Sequence, residues 1–278
     1  MYSAKRTCIY ERCKMVKLNF RTKKNGVPIL SKYEIEEMAE MIIRDYDEDI
    51  YSNPKSLDIE HFSEYYAELE LDYQDLTNNK SILGMTVFND CYIPVYDAVH
   101  NKAKKIPVHE GTVLLDNSLL AEDQLRRGRF TLSHEVSHWF LHQEKYRTDK
   151  NQVSIFDDKQ SQPVIKCRAT NIESNSKKKL ITDDDWIEYH ADHMAAALLM
   201  PKKAFTNVVK DKFSSAGIRS RYYKIRTDFE QSVRLEEITY EIADIFDVSL
   251  TATKIRLMDL GFVKDEQENR QYSLKLDF

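Results

Sequence analysis

The chain has 278 residues, 42% hydrophobic and 31% charged, which excludes disorder as the default and leaves room for one large domain or two small ones. A net charge of −5 and a pI near 6.0 exclude a general nucleic-acid binder. Cys8, Cys13, Cys91 and Cys167 lack C-x-x-C spacing, and the longest apolar run, Met194 to Met200, is far short of the roughly 20 residues of a membrane span. A zinc ribbon, a disulfide scaffold and a membrane anchor are therefore not expected; a soluble cytoplasmic protein is.

Residues 1–30 read as a basic, non-periodic arm. Between Met1 and Lys24 stand eight Lys or Arg against one acid, Glu11, with no apolar run of the secretory kind. A solvated tail is the plain expectation, and contact with nucleic acid the alternative. Ser31 and Glu34 form a capping-box signature, opening an amphipathic helix with Ile35, Met38, Ala39, Ile42 and Ile43 on one face. After Pro54, a second helix is expected over Ile59 to Ala67. The period then falls to two from Leu69 to Tyr73. β-Rich runs follow at Ile82 to Phe88, Tyr92 to Tyr96 and Gly111 to Asp116, the first two separated by Asn89-Asp90.

Arg129 to His142 reads as one helix. Residues 144–182 are polar and weakly periodic, with a strand around Val164 to Arg168; such a stretch covers or flanks a site, or is mobile. Helices return at Asp185 to Met200, Lys202 to Phe213, Leu235 to Phe246 and Leu250 to Leu260, with Pro201 suited to the start of the second. Strands followed by helices give an α+β fold: a small mixed or antiparallel sheet packed on the 129–142 helix, with a mainly helical C-terminal part. The expected organisation is the arm 1–30, one domain over 31–262 and a tail over 263–278. Within the domain fall N-terminal helices at 31–67, a core at 68–213 and C-terminal helices at 214–262.

The 129–142 helix contains His134-Glu135-Val136-Ser137-His138, an H-E-x-x-H motif. Imidazoles at i and i+4 share a helix face and can bind one metal ion, and the Glu beside the first can act as general base. A catalytic zinc site needs a third protein ligand. His142 fails on distance, since eight residues at 1.5 Å rise put it about 12 Å from His134 along the axis. It reads instead as a helix-end residue, favourable to the C-terminal dipole or packed. Leu141 and Glu144 stand where a longer zinc motif would have Gly and His. Glu188 and Asp192 are again i and i+4: one can complete the metal shell and the other can hold the N–H of a ligand histidine. His190 faces elsewhere on that helix, and His193 is an outside candidate.

Arg129-Phe130-Thr131-Leu132-Ser133-His134-Glu135-Val136-Ser137-His138, with Leu141-His142, resembles the R-F-T-L-A-H-E-L-G-H-x-x-L-H block of ImmA/IrrE metallopeptidases. Leu198-Leu199-Met200-Pro201 is similar to their L-L-M-P, Glu188 and Asp192 fall on their E-x-x-x-N/D, and Phe246 to Ser249 with Arg256 to Gly261 resemble their closing helices. Ser133, Val136, Ser137 and His190 depart from the commoner residues, and none is a proposed ligand. The resemblance runs from about residue 82 to 262. It implies His134, His138 and Glu188 as ligands, Glu135 as catalytic base and Asp192 behind a ligand. It implies Zn2+ as cofactor, with Mn2+ or another divalent metal as alternative. It also implies a bacterial, intracellular regulatory role, the partner being a helix-turn-helix repressor that is cleaved or inactivated.

Under that reading the strand at 111–115 would hold the substrate backbone by edge pairing. Tyr146, Tyr189, His190 and His193 are the candidates for stabilising the oxyanion. Two rival readings stand beside it. One is a metal-bearing protein that binds a regulatory partner without cutting it. The other is a DNA-binding regulator using Leu235 to Gly261, but there Arg234, Lys254 and Arg256 face six acids, the wrong balance for DNA.

Overall fold

The computed structural model describes residues 16–147, 164–168, 180–220, 222–225 and 229–265. Residues 16–30 are not a solvated arm. They form a small antiparallel hairpin, β1 (Arg21–Thr22) and β2 (Pro28–Ile29), and bury Val27 and Leu30. Gly26, at φ +80°, lies so close to backbone far along the chain that a Cβ there would come 2.8 Å from Lys145 Cα. The basic residues of 1–15 lie outside the described residues, as do Cys8 and Cys13.

Ser31 caps α1 (Lys32–Asp47) as its sequence predicts: its hydroxyl accepts from Glu34 N–H, and the Glu34 carboxylate accepts from Ser31 N–H at 2.8 Å. Short turns α2 (Asp49–Ser52) and α3 (Ile59–His61) follow, the latter running into one π turn, Phe62–Tyr66.

The main sheet has four strands in the order β3-β7-β4-β8. β3 (Glu70–Gln74) runs parallel to β7 (Thr112–Asp116); β4 (Ile82–Val87) is antiparallel to β7 and to β8 (Val164–Arg168). The sheet is therefore mixed, and the fold is α+β. β5 (Cys91–Asp97) and β6 (Lys102–Val108) form a separate ribbon, whose Ile93, Val95 and Val108 pack on Met85, Val87 and Leu114 of the sheet's outer face. The inner face, with Val113 and Leu115, joins the main core.

The inner face lies against α4 (Leu125–Tyr146), which runs four residues beyond each end of its predicted span. Every residue from Thr131 to His142 is buried, because the sheet covers one side of α4 and α5 (Asp183–Leu199) the other. Thr182 and Asp185 form the capping box that starts α5. Ser133 Oγ donates to Ala195 O at 3.2 Å, an approach that the small residues Ala191 and Ala195 permit. α6 (Lys202–Ser215), α7 (Phe229–Phe246) and α8 (Leu250–Asp259) complete the helical part. A parallel ribbon, β9 (Tyr223–Ile225) with β10 (Val263–Asp265), was not expected from the pattern. Among the described residues, no helix is long and apolar enough to cross a membrane.

One sequence expectation changes here. The strand at 111–115 cannot pair with a substrate edge-on, because β7 is enclosed between β3 and β4. The 235–261 region packs as a helix pair, in line with its acidic charge balance. Arg256 is buried against Glu36, and Lys254 lies 3.5 Å from Glu236.

Candidate metal centre

α4 and α5 bring His134, His138 and Glu188 together: one ligand atom from each lies within 4.8 Å of the others. The two histidine Nε2 atoms are 2.9 Å apart, and the Glu188 oxygens lie 3.5 Å from His134 Nε2 and 3.6 Å from His138 Nε2. A tetrahedral zinc site with bonds near 2.0–2.1 Å has ligand-to-ligand edges of about 3.3 Å. The three observed separations bracket that value, so the residues fit the ion.

The outer partners sharpen the fit. Asp192 Oδ1 lies 2.8 Å from His134 Nδ1. An ionised carboxylate only accepts, so the Nδ1 carries the hydrogen and the His134 lone pair sits on Nε2. His138 Nδ1 lies 2.9 Å from His142 Nδ1. With the His138 hydrogen on Nδ1, donated to His142, both Nε2 lone pairs point where the Glu188 carboxylate also points. Lone pairs facing one another at that distance repel unless a proton or a cation lies between them. Burial first, and then His134 and His142, hold the His138 imidazole well below its ordinary pKa; burial and His190 do the same to His142. Both rings are therefore neutral, as metal ligation and hydrogen-bond acceptance require.

His142 is thus neither ligand nor helix-end residue. α4 continues to Tyr146, and His142 is fully buried against His138. Glu135 is fully buried under β4. Thr86 Oγ1 lies 2.6 Å from Glu135 Oε2, and a Cβ on Gly84 would come 2.7 Å from Glu135 Oε1. Thr86 and Gly84 are functional neighbours that the sequence reading missed. The available signal was the lone glycine inside a strand, which marks a bulge or a close approach; a register shift does occur beside it, between Ile82 and Gly84.

The other candidates fall elsewhere. His190 packs against His142, Trp186 and Tyr189, and burial lowers its pKa to about 4. His193 lies 3.5 Å from Asp259 and 4.8 Å, ring to ring, from Tyr189. Tyr146 stacks on Phe88 at 5.3 Å; burial, with the Asp184 and Glu188 charges, pushes its hydroxyl up to about 12, so it stays protonated.

A second constellation, Glu36, His193 and Asp259, also has ligand atoms within 4.8 Å. Its carboxylates are already compensated. Arg256 donates to both Glu36 oxygens and to Met200 O, and Lys32 pairs with Asp259. It is an ion-pair clasp joining α1, the end of α5 and α8. The chain matches no protein-family model and no curated protein.

Proposed function

We propose that this chain is a zinc-dependent intracellular peptidase of the ImmA/IrrE kind, hydrolysing a peptide bond in a regulatory protein, with a helix-turn-helix repressor as the expected substrate. The observation that carries the reading is the convergence of two histidine Nε2 atoms and the Glu188 carboxylate beside a buried glutamate on the same helix. Two imidazoles and one carboxylate suit zinc better than magnesium or calcium, which favour all-oxygen shells.

Zinc bound there supplies a Lewis acid that polarises a carbonyl and acidifies water. Glu135, oriented by Thr86, takes the proton of the attacking water and passes it to the leaving amine. Asp192 and His142 hold the two ligand imidazoles in the tautomer that presents Nε2. Glu188, with its side chain 24% exposed, and Asp192, at 41%, mark the side open to solvent and therefore to substrate. Of the sheet's two edge strands among the described residues, β3 and β8, it is β8 that pairs with β4, the strand touching Glu135, so substrate pairing falls to β8 and not to the enclosed β7.

The test is incubation of the zinc-loaded chain with a candidate repressor, followed by intact-mass spectrometry. Two complementary fragments are expected, with none from Glu135→Gln, which should retain one zinc per chain. Fragments from Glu135→Gln at the wild-type rate would refute the role of Glu135. A bound but intact repressor would favour the sequestering protein.

A further inference from the structure

Away from the metal centre, a cavity of about 1000 Å³ opens between the C-terminal half of α6, the turn after it, and the β9–β10 ribbon. Its basic groups come from three separate segments: Lys210 on α6, Arg219 in the turn and Lys264 on β10. Among the described residues no carboxylate lines it, although the chain carries 46 acids against 41 Lys and Arg. Neighbouring lysines behave differently: Lys212 lies 2.7 Å from Glu241, and Lys254 3.5 Å from Glu236. Lys210 and Arg219 have no carboxylate partner among the described residues, and Lys264 Nζ sits 4.1 Å from the Tyr222 ring centroid.

The floor is aromatic. Phe213 is buried, and its ring meets Phe262 edge-on at 6.4 Å. The C-terminus of α6 faces the same region and would by itself repel an anion. Its last carbonyls are already taken: Ile218 N–H donates to Phe213 O at 2.8 Å and Gly217 N–H to Ser214 O at 3.0 Å. Three cations from separate segments, with no acid beside them among the described residues and with aromatic rings in the same lining, in a cavity at the upper end of small-molecule sites, suit an anion that also carries a ring. The geometry points to a second binding site here for a small phosphorylated ligand of the nucleotide class. It stands apart from the peptidase reading, and either can fail alone.

The test is isothermal titration of the full chain, zinc-loaded and metal-free, with ATP and ADP, and with adenosine and inorganic pyrophosphate as controls. Nucleotide should bind equally in both metal states and more weakly at 200 mM than at 50 mM salt. Each of Lys210→Ala and Arg219→Ala should weaken it about tenfold, as loss of a charge-assisted contact does. Both side chains are exposed, so these variants should keep the wild-type melting temperature. Absence of binding at millimolar nucleotide would overturn the site. So would unchanged affinity in both variants, or binding only in the zinc-loaded chain. Pyrophosphate binding as tightly as ATP would overturn the ligand class, because the rings would then contribute nothing.

Discussion

His142→Phe removes the nitrogen that faces His138 Nδ1 at 2.9 Å and keeps an aromatic ring of similar bulk in place. Loss of an outer partner of a metal-ligating histidine typically costs 10–100-fold in metal affinity, or about 1.4–2.7 kcal/mol. The degree of burial decides where in that range each partner falls. His138 and His142 are fully buried, so the stranded Nδ1–H cannot turn to water, and an unsatisfied buried donor costs about 1–3 kcal/mol. The loss should therefore be near 100-fold. Asp192 is 41% exposed, so in Asp192→Ala water can replace the carboxylate and the loss should stay near tenfold. Charge alone predicts the opposite order, because a carboxylate is the stronger acceptor. Competition of each variant with a chromophoric chelator for zinc at pH 7.5 reads both affinities, and melting of the metal-free variants separates binding from folding. A zinc affinity of His142→Phe within twofold of wild type, or a larger loss in Asp192→Ala, would refute the reasoning.

Gly84→Ala puts a Cβ 2.7 Å from Glu135 Oε1, so either the carboxylate or β4 must shift; about 1–3 kcal/mol of stability should go, with cleavage lost and zinc retained by mass spectrometry. Retained cleavage would mean that Glu135 need not occupy its observed position. Arg256→Met leaves Glu36 buried and uncompensated, which should cost about 3–5 kcal/mol in urea unfolding; the double variant with Glu36→Leu should recover most of it. In the metal-free protein, burial lowers the His190 pKa from 6.5 to about 4, and the His138 and His142 pKa values fall as well. The unfolded chain then binds protons that the folded chain refuses. Stability should be full above about pH 6.5 and fall progressively towards pH 4, read as a declining urea midpoint, with a shallower decline in His190→Phe. A midpoint that does not fall would contradict the neutral buried histidines.

Much of this fold was legible because its signals are local. The capping box at Ser31 and Glu34 depends on residues three apart, and the period in 35–43 depends on a single helix; both appear as expected. The α+β class followed from strands preceding helices. Residues 16–30 were misjudged because their composition is basic and their period absent, while their order comes from contacts with Lys145 and Asp183, more than 100 residues away. The place of β7 inside the sheet was equally out of reach, since β3 reaches it in parallel across the whole intervening β4–β6 segment.

The site divides along the same line. By itself the sequence determined that His134 and His138 share a face and that Glu135 lies beside them, because the pitch of a helix fixes which residues are neighbours on it. It also limited the acidic contribution from the partner helix to Glu188 and Asp192, by the same period. Spacing alone left open how those two carboxylates divide; the family resemblance implied one division, and the tertiary structure supplies its geometry. The depth and rotation at which α5 packs on α4 bring Glu188 towards both Nε2 atoms and leave Asp192 on His134 Nδ1. The roles of His142, Thr86 and Gly84 belong to that same level, since each arises from burial and approach between elements, and spacing along one chain carries no record of either.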